Sequence, residues 1–358
     1  MNFNFPLLKP LRIILFPFSL VYLSAIAIRN FLYDKKLLQS SSFGLPIICV
    51  GNIAAGGTGK SPMVEYLLRT FGSEYQLATL SRGYKRKTRG YALATSSTTA
   101  LEIGDEPMQF HLKFPKVSVA VGEERIVAVP QLLHDRPSTQ AIVLDDAFQH
   151  RAIKAGMNIV LTDFNNLYTR DWYLPTGDLR DEKRSAKRAD IIIVTKCPEN
   201  LESEQVEAIR NEIAPHPGQE VFFSTIRYGE LYHIVNSSHY RITPDVEVLL
   251  VTGIANPRPL KNLLADRAHS YDQLVYSDHH IFSIDDLNEI SKRFSQLTGA
   301  HKIILTTEKD AVRLVKFEQE LRQLPVYVLP VEMQFLFGNA DRFNTLIGTF
   351  IKQFSASA

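Results

Sequence analysis

A chain of 358 residues has room for two domains of ordinary size, and 45% apolar with 22% charged residues is a globular composition, neither disordered nor fibrous. A net charge of +2 carries no bulk electrostatic signature of a nucleic-acid binder. The two cysteines, Cys49 and Cys197, end apolar runs and read as buried thiols of a reducing compartment, which excludes a disulfide framework.

The first predicted element spans residues 13–28 and carries no charge, with Lys9 and Arg12 ahead of it and Arg29 behind. A membrane-crossing helix needs about 20 apolar residues, and this run is shorter and interrupted by Pro17. A secretory signal fits the basic start, but cleavage would export the glycine-rich loop that follows, which reads as a phosphate-binding loop. The favoured reading is a helix lying in a membrane interface, with Phe16, Phe18 and Tyr22 as interfacial aromatics and basic residues at both ends. A buried core helix is the remaining alternative.

Residues 47–50 form an apolar strand that runs into a glycine-rich loop and then a helical pattern over 63–71. Strand, loop and helix come in the order a phosphate-binding P-loop requires. The loop is Ala54, Ala55, Gly56, Gly57, Thr58, Gly59, Lys60 and Ser61, with Ala54 where the motif usually has glycine. Glycines let backbone N–H groups turn toward phosphates, and the helix N-terminus adds partial positive charge. Lys60 has the reach for the outer phosphates of ATP, and the Ser61 hydroxyl suits Mg²⁺.

A second strand, 77–81, leads into a loop with five positive charges between Arg82 and Arg89, and with Tyr84 among them. A charge run alone is usually a solvated loop. At the carboxyl end of a strand beside a P-loop it also suits an anionic substrate. No aromatic-interleaved basic face extends beyond this loop, which argues against nucleic acid as a partner. Asp105 and Glu106 then stand side by side before a helix. Such a pair caps and charges a first turn, or holds Mg²⁺ and accepts a hydroxyl proton.

A third strand covers 117–121, with Arg125 just beyond it. The apolar strand 141–144 ends in Asp145 and Asp146, where a strand beside a P-loop places carboxylates for Mg²⁺. Gln149 and His150 follow as polar groups for the phosphates. Strands at 158–162 and 190–195 flank a turn-rich loop that presents Arg180. Alternating strands and helices predict an α/β, P-loop NTPase-like fold: a mostly parallel sheet with helices on both faces.

Residues 229–245 read as a strand-rich linker. A second, smaller α/β unit follows, with strands at 246–251, 302–306 and 326–329 and a helix over 283–297 capped by Ser283. Asp278, His279 and His280 sit in a loop between them. Adjacent histidines without a third ligand at useful spacing make a poor metal site, so a catalytic or orienting histidine in the cleft between the units is the better reading. The expected organisation is 1–33 membrane-interface helix, 34–228 P-loop unit, 229–335 second α/β unit and 336–358 closing helix.

Nine short motifs in order complete the picture: GNIAAGGTGKSP at 51–62, SRGY at 81–84, GDEP at 104–107, LDDAFQH at 144–150, LPTGDLR at 174–180, VTKCP at 194–198, GIANP at 253–257, DHH at 278–280 and TEKDAV at 307–312. Together they resemble the tetraacyldisaccharide 4′-kinases, P-loop kinases of lipid A biosynthesis, over nearly the whole chain. The resemblance implies transfer of the ATP γ-phosphate to the 4′-hydroxyl of a tetraacylated glucosamine disaccharide 1-phosphate, at the cytoplasmic face of a bacterial inner membrane. It implies that Asp105 and His279 act as a dyad on the acceptor hydroxyl. It further implies that Ser61, Glu106, Asp145 and Asp146 surround Mg²⁺, and that Arg125 and Arg180 lie near phosphates. Ser61 stands where the family often has Thr, and Thr176, Asp178 and Asp181 depart from its pattern around Arg180. On the residues alone, a membrane-associated P-loop ATPase switch that drives partner binding is the alternative. It would need no histidine from a second unit.

Overall fold

The computed structural model describes residues 10–357. Lys9, and with it the start of the 1–33 segment, lies outside the described residues. The first unit is built on β1 (Ile47–Asn52), β2 (Leu77–Ser81), β3 (Ala92–Leu93), β4 (Ser118–Val121), β5 (Ala141–Asp145), β6 (Met157–Asp163), β7 (Ile191–Thr195) and β8 (Glu220–Tyr228). The second has β9 (Leu231–His233), β10 (His239–Tyr240), β11 (Val246–Thr252), β12 (Ser270–Val275), β13 (His301–Thr307) and β14 (Val326–Leu329), and β15 (Val331–Phe335) follows.

The first sheet has the order β15-β8-β7-β6-β1-β5-β2-β4-β3. It is parallel from β8 to β4, with antiparallel strands only at its two edges. β1 is therefore central, with β5 on one side and β6 on the other, and the strand-end aspartates stand next to the P-loop. All six residues of β1 are buried, as a strand covered on both faces requires. Ile47 and Cys49 pack with the helices Arg125–Asp135 and Ser203–Ile213 on one face. Ile48 and Val50 pack on the other face with the helices Lys60–Phe71, Asp105–Lys113 and Ala340–Ser357. Cys49 and Cys197 are free and buried, and burial pushes both thiols up to about 12, so they behave as apolar core.

The second sheet, β10-β9-β14-β13-β11-β12, is parallel from β14 to β12 and likewise covered on both faces. Val331–Phe335 was counted with this unit on sequence, but it pairs antiparallel with β8, Val331 opposite Tyr228. The chain thus leaves the first sheet after β8 and returns beside its exit. Gly229 N–H donates to Pro330 O at 3.0 Å across the two crossings.

A 3-10 turn, Pro10–Leu15, opens into the N-terminal helix Phe16–Asp34. Only Ser19, Ile26 and Asn30 of this helix are buried, so it is not a core helix. Phe18, Val21 and Ile28 are each more than 60% exposed. By length and composition residues 12–34 could also cross a membrane. However, one face of the helix is hydrogen-bonded to the loop before Arg180 and to the residues around Gln149.

Candidate active site

β1 delivers Asn52 and the buried Ile53 into the loop 54–61. Gly59 takes φ +87° just before the helix Lys60–Phe71, a left-handed conformation that costs glycine nothing. No side chain caps this helix, so its first-turn N–H groups remain available to an anion. Asn52 Nδ2 donates to Thr58 Oγ1 at 2.8 Å, and Thr195 Oγ1 donates to Thr58 O at 2.8 Å, so β1 and β7 both brace the loop. From the other side, Ala55 N–H donates to Asp178 O at 2.6 Å and Arg180 N–H to Ile53 O at 2.9 Å. Ala54 lies in this short antiparallel bridge, opposite Leu179.

Asp145 and Asp146 end β5 as expected and face the loop. Lys60 Nζ lies 3.8 Å from Asp146 Oδ1, and Arg180 grips the same carboxylate and Asn52 Oδ1. Burial works against charge on Asp146, but Arg180 and Lys60 hold it below the usual carboxylate range. Asp145 is the opposite case. Burial and the neighbouring charges of Glu106 and Asp146 push it up to about 7, and its Oδ1 is buried with no hydrogen-bond partner. Glu106 resists its own burial because Lys309, at 2.5 Å from Oε1, and the Ser61 hydroxyl both favour its ionised form.

Asp105 and His279, 174 residues apart, meet: Asp105 Oδ2 is 2.6 Å from His279 Nδ1. The helix Asp105–Lys113 begins at Asp105, so the carboxylate projects from a helix start beside the P-loop. His279 sits at φ +63°, a conformation few non-glycine residues hold. Its N–H donates to Gly253 O at 3.2 Å. A Cβ on Gly253 would lie 2.9 Å from Ser277 O, so glycine is what lets this turn close. Arg313 completes the group, with Nε 2.8 Å from Asp105 Oδ1 and Nη2 2.5 Å from Oδ2. Burial opposes ionisation of Asp105, but the hydrogen bonds from His279 and Arg313 and the guanidinium charge hold it down at about 2.

The basic groups divide. Arg125 is buried, with Nε unpartnered, and burial lowers its pKa although Asp145 and Asp146 lie near enough to offset part of that effect. His150 is half-buried; its Nε2 has no partner, and burial and then the charges of Arg125, Arg29 and Arg82 hold it below the usual imidazole range. Gln149 donates to Asn52 O at 2.7 Å, so its amide serves the loop's framework. Arg82 and Tyr84 are exposed at the mouth, with the Tyr84 ring edge-on to His279 at 6.0 Å. Arg86, one of the five charges of that loop, is committed to Glu123 at 2.7 Å and is not free for a ligand.

Lys309 and Arg313 escaped the sequence reading. They are four residues apart on the helix Glu308–Leu314, one face of which meets Asp105 and Glu106. The signal was present, as two cations at helical spacing directly after a strand, but nothing local says which carboxylates they reach. Helix 308–314 is held by Asp310, which accepts from Thr307 Oγ1 at 2.7 Å and from Gly253 N–H at 3.1 Å and so ties it to the His279 turn.

Comparison with known proteins finds close relatives over nearly the whole chain. A family model for tetraacyldisaccharide-1-P 4'-kinase matches residues 11–352. The tetraacyldisaccharide 4'-kinase of Bacteroides thetaiotaomicron is 43% identical over 354 residues, covering 95% of this chain and 93% of that one. The enzyme of the same name from Flavobacterium johnsoniae is 44% identical over 344 residues, covering 96% and 98%. Among solved structures, LpxK from Aquifex aeolicus in complex with ATP is similar at a TM-score of 0.74 and 26% identity, with 95% of this chain and 99% of that chain covered.

Proposed function

This chain belongs to the tetraacyldisaccharide 4′-kinase family, and from that premise we propose how the residues above divide the work. The enzyme transfers the γ-phosphate of ATP to the 4′-hydroxyl of a tetraacylated glucosamine disaccharide 1-phosphate, a step of lipid A biosynthesis. The observation that supports the assignment of roles is the meeting of Asp105 and His279 from the two units, beside the P-loop.

ATP phosphates lie along loop 54–61, with its N–H groups, Lys60 and Arg180 balancing their charge. Asp145, Asp146, Glu106 and Ser61 are the oxygen donors that suit Mg²⁺, and the buried, unpartnered Oδ1 of Asp145 fits a cation arriving with the nucleotide. Among the described residues no preformed cage of three carboxylate, imidazole or thiolate groups exists. A Mg²⁺ shared with phosphates needs only one or two carboxylates. When bound it would neutralise charge on the β- and γ-phosphates.

The acceptor hydroxyl needs a place for its proton. Held at about 2 and covered by Arg313 on both oxygens, Asp105 is a weak base in this arrangement. We assign it to fixing His279 as the Nδ1–H tautomer, which leaves Nε2 to take the proton. Asp105, which the sequence offers as one possible acceptor of the hydroxyl proton, is in this reading the orienting member of the pair. Arg82, Tyr84, Arg125 and His150 form the side from which an anionic acceptor enters. A nucleotide switch needs no histidine from a second unit, so His279 at Asp105 favours transfer to an acceptor over that alternative.

The exposed apolar face of helix 16–34 supports membrane association, and the inner-membrane surface facing the cytoplasm is where both ATP and a lipid acceptor are available. The test is incubation with γ-labelled ATP and a bacterial lipid extract. Label in a disaccharide lipid at the 4′-position, absent with Lys60→Ala, is expected. Release of inorganic phosphate without any labelled lipid would overturn the reading.

A further inference from the structure

Ser19 and Asn30 are polar residues buried on a helix whose other faces are apolar and exposed. With Tyr22 and Ile26 between them they form one stripe at helical spacing, 19, 22, 26 and 30. The stripe meets the loop that carries Arg180. Ser19 Oγ lies 3.0 Å from Tyr173 O and 2.7 Å from Thr176 Oγ1, and accepts from Thr176 N–H at 3.1 Å. Tyr22 donates to Arg180 O at 3.3 Å, and Arg12 pairs with Asp178 at 3.1 Å. Asn30 Nδ2 reaches Asp181 Oδ1 at 2.9 Å and Glu182 Oε2 at 2.8 Å, both buried. Arg188 anchors the other oxygen of Asp181 at 3.0 Å.

The same loop, on its opposite edge, is hydrogen-bonded to the start of the P-loop through Asp178 O and Arg180 N–H. It also places the Arg180 guanidinium on Asp146 and Asn52. Helix, loop and P-loop are therefore one hydrogen-bonded stack, three layers deep. A second path runs beside it, as Arg29 donates to Gln149 O and the Gln149 amide donates to Asn52 O at 2.7 Å.

We propose that Ser19 and Asn30 are positioning residues for the nucleotide site, acting through loop 173–182 on Arg180 and on the first half of the P-loop. The N-terminal helix would then order the ATP site even where no membrane is present. The ligand is ATP, so the proposal rests on the kinase reading, but its test does not require turnover. Without Asn30, buried Glu182 Oε2 would lose its amide donor and Asp181 Oδ1 would keep only Ser185 Oγ and the Glu182 N–H, which loosens the loop. Losing the Ser19 hydroxyl frees the Thr176 end alone.

The experiment measures binding of a fluorescent ATP analogue to full-length Ser19→Ala, Asn30→Leu and Arg180→Ala enzymes in detergent, without lipid acceptor. Kinetics with dispersed acceptor are run in parallel. Asn30→Leu is expected to raise the nucleotide Kd about tenfold and Ser19→Ala about threefold, with KM for ATP following and KM for the acceptor within twofold. Combined with Arg180→Ala, neither should add its full single effect, because each acts through that residue. If Asn30→Leu fails to fold, Ser19→Ala alone carries the test. Nucleotide Kd values within twofold of wild type in a folded variant would overturn the proposal, as would effects that simply multiply with Arg180→Ala. A wild-type protein that binds no nucleotide would instead overturn the kinase reading.

Discussion

Asp105, His279 and Arg313 together show how a single contact can join two units. His279 offers one nitrogen to Asp105, and Arg313 closes on the same carboxylate from a helix of the second unit. Residues that act as one group give non-additive losses. Asp105→Ala and His279→Ala are each expected to lower kcat by 10²-fold or more, on the order of general acid–base catalysis, while moving KM for ATP by less than threefold. The double variant should be little slower than the worse single one. Steady-state kinetics on the four enzymes checks this, and losses that multiply would separate the two residues. Asp105→Asn, which keeps the shape but favours the wrong imidazole tautomer, should be nearly as damaging as Asp105→Ala.

At the scale of elements, the helices Lys60–Phe71, Asp105–Lys113 and Glu308–Leu314 meet in a buried charged node. Lys113 Nζ is 2.5 Å from Glu65 Oε2 and also contacts Glu308, so two carboxylates share one ammonium. Burial, with the charge of Glu308 added, pushes Glu65 up to about 7 from the ordinary 4.5. The native state then holds a proton that the unfolded chain releases, so this stability is full below pH 4.5 and is lost as pH rises through about 7. The gap corresponds to roughly 3 kcal/mol. Glu65→Gln should make the fall in stability between pH 5 and pH 8 shallower by an amount of that order, read from urea unfolding at four pH values. An unchanged slope would place the titration elsewhere.

The elements differed in how legible they were. β1, β2, β5 and β7 are short apolar runs bounded by turn residues, and each falls where periodicity and glycine place it. β12 is half polar and lies at a sheet edge, so no apolar signal marks it. β15 was hidden by its long-range pairing: its partner, β8, lies more than a hundred residues earlier. In the site, the P-loop and Asp145–Asp146 are local motifs and were readable from spacing. The pairing of Asp105 with His279 came from resemblance, and the arrival of Lys309 and Arg313 is purely tertiary. The extra acids around Arg180 become intelligible only with the N-terminal segment in place, because Asp178 is held by Arg12 of the turn before the helix and Asp181 by Asn30 of the helix itself.

The whole molecule places an apolar outer surface and a nucleotide site on opposite sides of one loop. Phe18, Val21 and Ile28 are unpartnered on the outer side of helix 16–34. Replacing all three with serine removes roughly 2 kcal/mol of transfer free energy per side chain. Co-sedimentation with anionic lipid vesicles should therefore fall at least tenfold, and an unchanged bound fraction would show that other residues carry the attachment. The two crossings between units, after Tyr228 and before Val331, lie side by side as neighbouring strands. In the language of gene architecture, residues 229–330 are a cassette spliced into the tip of a hairpin. Excision should then leave a closable turn. A chain joining Tyr228 to Val331 through Asn-Gly is expected to fold, to bind the ATP analogue and to transfer nothing, since His279 and Arg313 have left with the cassette. Loss of nucleotide binding in a folded excision variant would show that the ATP site needs the inserted unit as well.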